Sequence, residues 1–225
     1  MRTSALSIVL PVLILSACAP EQEQTATPAA DTSHVARNAS SGLPDPWQMR
    51  LDDADAAPAT LEFTTMSPGW HITTGPAGIF WQEGMTESGD YTVSTTMHLF
   101  PSSGHHEAYG LFVGGKNLNA DNQEYLYFVV RGDGQFLIKH RAGAETHVIS
   151  DWTPHAAIVQ KREEAGESVQ NVLSVAVAGD AATFSVNGQQ VATLPRSQFD
   201  LDGQVGLRIN HNLNLHVTDI GRPSF

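Results

Sequence analysis

The sequence predicts an all-β domain, built as a sandwich of two antiparallel sheets. Three observations predict it. From Tyr91 to Ile220, short runs rich in Val, Ile, Thr and aromatic residues recur, each ended by Gly, Asn or Asp; that rhythm belongs to all-β sandwiches and barrels. Within the runs apolar and polar residues alternate, which gives each strand one apolar face. The same region has no convincing run of apolar residues at helical spacing.

In chain order, the first run is Tyr91–Phe100, long and carrying the Thr, Val and aromatic residues that suit a pleated surface. Tyr109–Val113 and Tyr125–Arg131 follow. In the second of these, Leu126, Phe128 and Val130 share one face, and Tyr125, Tyr127, Val129 and Arg131 share the other. Gly132-Asp133-Gly134 then makes a tight hairpin into Gln135–Arg141. Thr146–Trp152 comes next, and then Asn171–Ala178, with Leu173, Val175 and Val177 inward. Gly179-Asp180 turns the chain into Ala182–Val186, where Phe184 and Val186 face in. Asn187-Gly188 is the strongest hairpin signal, because both central residues of a type I′ turn need positive φ. It leads into Gln190–Leu194. Gln204–Asn210 (Val205, Leu207 and Ile209 inward) and Asn214–Ile220 (Leu215 and Val217 inward, with Leu213 just ahead) close the series.

Ahead of these runs the chain has another character. Arg2 precedes an apolar stretch, Ala5 to Ala17, interrupted by Pro11. It falls short of the roughly 20 residues a spanning helix needs and reads as a secretion signal. Leu15-Ser16-Ala17-Cys18 resembles the lipobox of bacterial lipoproteins. The resemblance implies a signal peptide over 1–17, cleavage before Cys18, and acylation of its thiol and amine, palmitate included. It implies a lipid-anchored protein of the cell envelope. Ala19 in place of Asp implies the outer membrane. Residues 18–46, rich in Ala, Thr, Ser, Pro, Gln and Glu, predict a flexible tether. Residues 47–225 form one domain of ordinary size. Cys18 is the only cysteine, so the domain has no disulfide, zinc–thiolate site or thiol nucleophile. A net charge of −12 disfavours nucleic acid and anionic headgroups as partners.

Asn171-x-Leu173-x-Val175, Gly179, Phe184-x-Val186-Asn187-Gly188-x-x-Val191 and Gly203-x-Val205-Gly206-Leu207 follow one another in order. That order resembles the concanavalin A-like lectin/glucanase superfamily, above all laminin G-like domains and the bacterial 3-keto-disaccharide hydrolase domain. Trp70 and Tyr109-Gly110-Leu111 also fit. The resemblance implies a jelly-roll sandwich over most of 47–225. These motifs are hairpin and core residues, so they bear on fold and not on activity.

Glycosidases of the usual kind need two carboxylates across the bond. Glucanases of this superfamily carry Glu-x-Asp-x-(x)-Glu along one strand, and no run here does. Glu107 and Glu124 each stand alone. For an enzyme resembling the keto-disaccharide hydrolases, Glu107 and His106 would be the first catalytic candidates, with Tyr127 and His216 beside them. No catalytic motif supports them. His98, His105, His106, His140, His147, His211 and His216 lie on or beside strands without metal-ligand spacing, and no metal site is assigned. Asn117, Asn119, Asp121 and Gln123 alternate oxygen ligands, but Asn122 and Phe128 stand where an EF-hand needs Gly and an acid. A structural Ca²⁺ stays open on the resemblance. Turn chemistry accounts for Arg131-Gly132-Asp133.

The remaining candidates are outward strand positions: Tyr125, Tyr127, Arg131, Lys139, Arg141, Arg208, Asn210, Asn214 and His216. Aromatic faces stack on sugar rings, and Arg, Asn and His hydrogen-bond hydroxyls. A carbohydrate-binding face on an envelope lipoprotein is the leading expectation. A glycan-acting hydrolase and a non-catalytic protein-docking module are the alternatives.

Overall fold

The computed structural model describes residues 42–53, 55–56, 61–101, 106–161 and 166–221. The expected signal peptide, Cys18, the tether as far as residue 41, and His105 lie outside the described residues. Among these, fourteen strands and no α-helix occur: β1 (Trp47–Leu51), β2 (Glu62–Thr65), β3 (Trp70–Thr73), β4 (Gly78–Glu87), β5 (Tyr91–Leu99), β6 (Ala108–Lys116), β7 (Glu124–Arg131), β8 (Gln135–Ala142), β9 (Glu145–Pro154), β10 (Val169–Ala178), β11 (Ala181–Val186), β12 (Gln189–Pro195), β13 (Gly203–Ile209) and β14 (Asn214–Gly221). The ten runs expected from Tyr91 onward are all strands, and four more precede them. Leu43, placed in the expected tether, already packs against the core.

Two seven-stranded sheets form. The first runs β1-β4-β13-β6-β7-β8-β9 and the second β12-β11-β10-β5-β14-β3-β2, and the neighbours pair antiparallel. The inward sets read from alternation meet between the sheets. Leu126, Phe128 and Val130 pack with Leu173, Val175, Val177, Phe184 and Leu207 in one core, and the Phe128 and Phe184 rings lie 5.4 Å apart at a steep angle. The hairpin chemistry also holds. Asn187 and Gly188 have φ of 51° and 76°, so both take the positive φ expected of them.

Asn171 is a wholly buried polar residue, and its bonds explain why it is tolerated. Its carbonyl accepts from the Val159 N–H (2.9 Å) and from the Asn187 amide (2.9 Å). Its own amide donates to the Val159 carbonyl and the Tyr109 hydroxyl, 3.2 Å each. Asn187 donates in turn to the Ala157 carbonyl (2.8 Å). Together they tie the connection between β9 and β10 to the β11–β12 hairpin.

Candidate functional site

The outer face of the first sheet differs from the hydrophilic surface expected of it. Register places Gln48, Trp81, Gly206, Phe112, Tyr127, Lys139 and Val148 in one row across all seven strands. The adjacent row holds Arg50, Ile79, Arg208, Gly110, Val129 and Leu137. Many of these are apolar and form two further clusters outside the main core. Ile79, Trp81, Phe112, Leu118 and Tyr125 make one; Ala108, Val129 and Leu137 make the other, and Tyr127 packs against both. The face is an aromatic floor with cations laid over it.

Phe112 shows how the floor closes. A side chain at Gly206 would bring its Cβ within 2.5 Å of the Phe112 ring, so the glycine leaves the ring its place over β13. One level along, β6 offers only Gly110 between Arg208 and Val129. The Arg208 guanidinium lies 5.6 Å from the Tyr127 ring centre, a cation–π contact.

Arg208 is itself buried. Its two terminal nitrogens donate to the two oxygens of Asp52, at 2.6 and 2.5 Å, the bidentate geometry that suits guanidinium. Its Nε is buried with no partner among the described residues. Burial works to raise the Asp52 carboxyl, but the Arg208 hydrogen bonds and the charges of Arg208, Arg141 and Arg50 outweigh it. The carboxyl sits below the usual carboxylate range. For Arg208, burial pulls the other way and loses to Asp52, so the net direction is up. Burial pushes the Tyr127 phenol up to about 12 against the pull of Arg208 and Arg141, and it raises Tyr125 as well.

The nine outward candidates divide. Tyr127, Lys139, Arg141 and Arg208 share this face, and Tyr125 joins them. Tyr125 is only 3% exposed, however, so its ring serves the floor and cannot stack on a ligand. Arg131 sits at the far end of β7, paired with Asp133 (2.8 Å) and lying 4.1 Å over the Trp152 ring. Asn210 is held near Glu107 (3.5 Å). Asn214 and His216 do not belong to this face. They lie on β14 in the second sheet, where Asn214 accepts from His71 (2.5 Å) and His216 donates to the Pro68 carbonyl (2.9 Å). Alternation had made them outward, and they are; the chain changes sheets between β13 and β14. Among the catalytic candidates, Glu107 accepts from His211 at 2.9 Å, and His106 is exposed beside it in sequence. Among the described residues no group of three or more His, Cys, Asp or Glu is placed to hold a metal ion.

Sequence reasoning missed Asp52, Arg50 and a cavity of about 240 Å³ beside Trp81. Gln48, Glu83, Asn117, Asn119 and Gln204 line it with polar groups. The segment after β6 forms its wall, fixed by Arg50, which donates to the carbonyls of Leu118 (3.2 Å) and Ala120 (2.6 Å). Gln204 has a buried side-chain oxygen with no partner among the described residues. From Trp81 to Tyr127 is three strand spacings, about 14 Å. Cavity and cations thus share one face.

No family model matches the chain, and no curated protein does. Solved structures do. A carbohydrate-binding module, CBM66, from Bacillus subtilis aligns with TM-score 0.56 and 14% identity over 78% of this chain and 95% of that one. A GH16 protein of Bacteroides ovatus, in complex with a glucan product, aligns at 0.52 and 9% over 77% and 94%. The metal-free carbohydrate recognition domain of Emp46p aligns at 0.52 and 11% over 77% and 86%. At such identities the likeness is one of fold, and it agrees with the strand order: the chain is a concanavalin A-like jelly-roll sandwich of two antiparallel sheets.

Proposed function

We propose that the domain binds an oligosaccharide along the outer face of its first sheet. The ligand would run from the amide-lined cavity at Gln48, Asn117, Asn119 and Gln204 to Tyr127. The observation that carries this reading is the single row joining that cavity to a half-exposed tyrosine over an aromatic floor. Amides donate to and accept from hydroxyls, and an aromatic ring supports the apolar face of a sugar. The similar folds include a carbohydrate-binding module, a carbohydrate recognition domain and a glucan-bound GH16 protein, and that company supports the reading. Glu107 faces an imidazole, with no catalytic motif around it, and supports binding better than hydrolysis.

A glycan array followed by calorimetric titration tests the proposal. At least one glycan should bind saturably, and Tyr127→Ala and Gln204→Ala should each weaken it while the circular dichroism spectrum stays that of the folded β domain. Loss of neither, or no saturable ligand, refutes it.

The lipobox resemblance adds that this domain is displayed from an envelope membrane, outer rather than inner, on a lipid carried by Cys18. Labelled palmitate should enter the wild-type protein in a bacterial host and not the Cys18→Ser variant.

A further inference from the structure

We infer that the ligand of this face is an acidic glycan, whose sugar carboxylate is held by Lys139 and Arg141. The inference rests on the carbohydrate-binding reading above. It starts from charge bookkeeping. The chain has 24 acidic residues against 12 Lys and Arg, so a cation on its surface has carboxylates in excess to choose from. Arg50, Lys116, Arg131, Arg196 and Arg208 each have one. Lys139 and Arg141 have no carboxylate partner among the described residues. They stand two residues apart on β8, on the same face, opposite Tyr127 and Tyr125.

Arg141 is also held in place. Its Nε donates to the Gly143 carbonyl at 2.6 Å and its Nη1 to the Thr146 hydroxyl at 3.3 Å. Its Nη2 then remains to donate outward. A guanidinium fixed by neutral acceptors keeps its full charge for a ligand and loses little entropy on binding. Beside it the Tyr127 and Tyr125 hydroxyls have no hydrogen-bond partner among the described residues. Both phenols are held protonated by burial, so they are donors. Two cations with no salt-bridge partner among the described residues, beside two donor hydroxyls, are the chemistry that receives an anion. Asp52 lies within electrostatic reach of Arg141, but its charge is matched by Arg208, which takes both its oxygens. The cavity end differs: it is lined by amides and Glu83 and has no cation. The face is thus graded, with neutral hydroxyl recognition at one end and anion recognition at the other.

Calorimetry on the intact chain tests this with oligogalacturonate, the same oligosaccharide after reduction of its carboxyls to alcohols, and a sulfated galactan oligosaccharide. Oligogalacturonate should bind, and its reduced form about ten-fold more weakly. Lys139→Gln and Arg141→Gln should each lose several-fold more affinity for the acidic form than for the neutral form. Raising salt should weaken the acidic form alone. Tighter binding of the sulfated probe, or equal binding of acidic and reduced forms in wild type and both variants, overturns the carboxylate assignment and leaves the carbohydrate reading standing. Failure of every glycan, acidic or neutral, brings down both.

Discussion

Removing the Asp52 carboxylate should cost the fold about 2 kcal/mol, almost all of it because Arg208 is left behind. Breaking a fully enclosed ion pair by deleting one partner costs about 3–5 kcal/mol, whereas an exposed pair is worth at most about 1. This pair lies between. The Arg208 side chain is 9% exposed and that of Asp52 is 43% exposed. In Asp52→Ala the guanidinium, 9% exposed, loses its carboxylate, and Nε already has no partner among the described residues. Arg208→Met is the milder change. It strands no buried charge, since Asp52 can hydrate where it stands. It forfeits the contact with Tyr127, about 0.5–1 kcal/mol. In the Arg208→Met background, Asp52→Ala should then cost almost nothing.

Urea unfolding at pH 7, followed by tryptophan fluorescence, measures the four corners of this cycle. A coupling of about 2 kcal/mol is expected, against the roughly 0.5 kcal/mol scatter of independent sites. Additive single variants would refute the pairing and the idea that Asp52 is what keeps a buried cation in this face. The same series has a pH signature. The folded Asp52 carboxyl lies below its unfolded value of about 3.9. Its contribution is therefore complete above that value. It fades as pH falls toward the folded value, because the unfolded chain takes up the proton first. Wild type and Asp52→Ala should converge in stability below about pH 4.

Other consequences follow from the same geometry. Asn171→Ala removes four hydrogen bonds and leaves Val159, Tyr109 and Asn187 groups unpaired. It should cost about 3–4 kcal/mol, seen as a melting point lower by about 10 °C. Gly206→Ala would place Cβ 2.4 Å from the Phe80 carbonyl oxygen and 2.5 Å from the Phe112 ring. It should cost about 2–3 kcal/mol. Gly179→Ala, with nothing within 4 Å, meets only its positive φ and should cost about 1 kcal/mol by the same assay. All four tyrosines, Tyr91, Tyr109, Tyr125 and Tyr127, are raised by burial. At pH 10.5 the folded chain should show less phenolate absorbance at about 295 nm than the urea-unfolded chain. The stabilisation from these phenols is full below about pH 10 and is lost as pH rises beyond it.

Most strands from Tyr91 onward could be read because they have one face in the core and a turn residue at the end; β6, buried on both faces, is legible from its β-branched and aromatic residues instead. β10 is the clearest case, alternating without a break from Asn171 to Val177. Of the four strands before them, β1 alternates but over only five residues, and the other three fail the same test for physical reasons. β2 and β3 are four residues each, too short for a period to show. β4 begins with four consecutive buried residues, Gly78 to Trp81, because Phe80 enters the main core while Ile79 and Trp81 enter the outer cluster. A strand buried on both faces has no alternation to detect.

The site divides along the same line. Tyr127, Lys139 and Arg141 could be grouped from sequence because the Gly132-Asp133-Gly134 hairpin fixes the register of β7 against β8. Parity then puts all three on one side. Parity says only that a side chain points away from the core. In a two-sheet fold that leaves two surfaces, and no local signal chooses between them. Asn214 and His216 follow Asn210 by a few residues and keep its outward sense, yet they emerge on the far sheet. Asp52 is further out of reach, joined to Arg208 across 156 positions of chain. The part of the face that alternation and one hairpin can assemble is the unpaired pair, Lys139 and Arg141, with Tyr127. The part they cannot assemble is the paired cation and its acid. That division matches the roles assigned here: long-range bonds fix the floor, and the short-range hairpin presents the groups left over to bind.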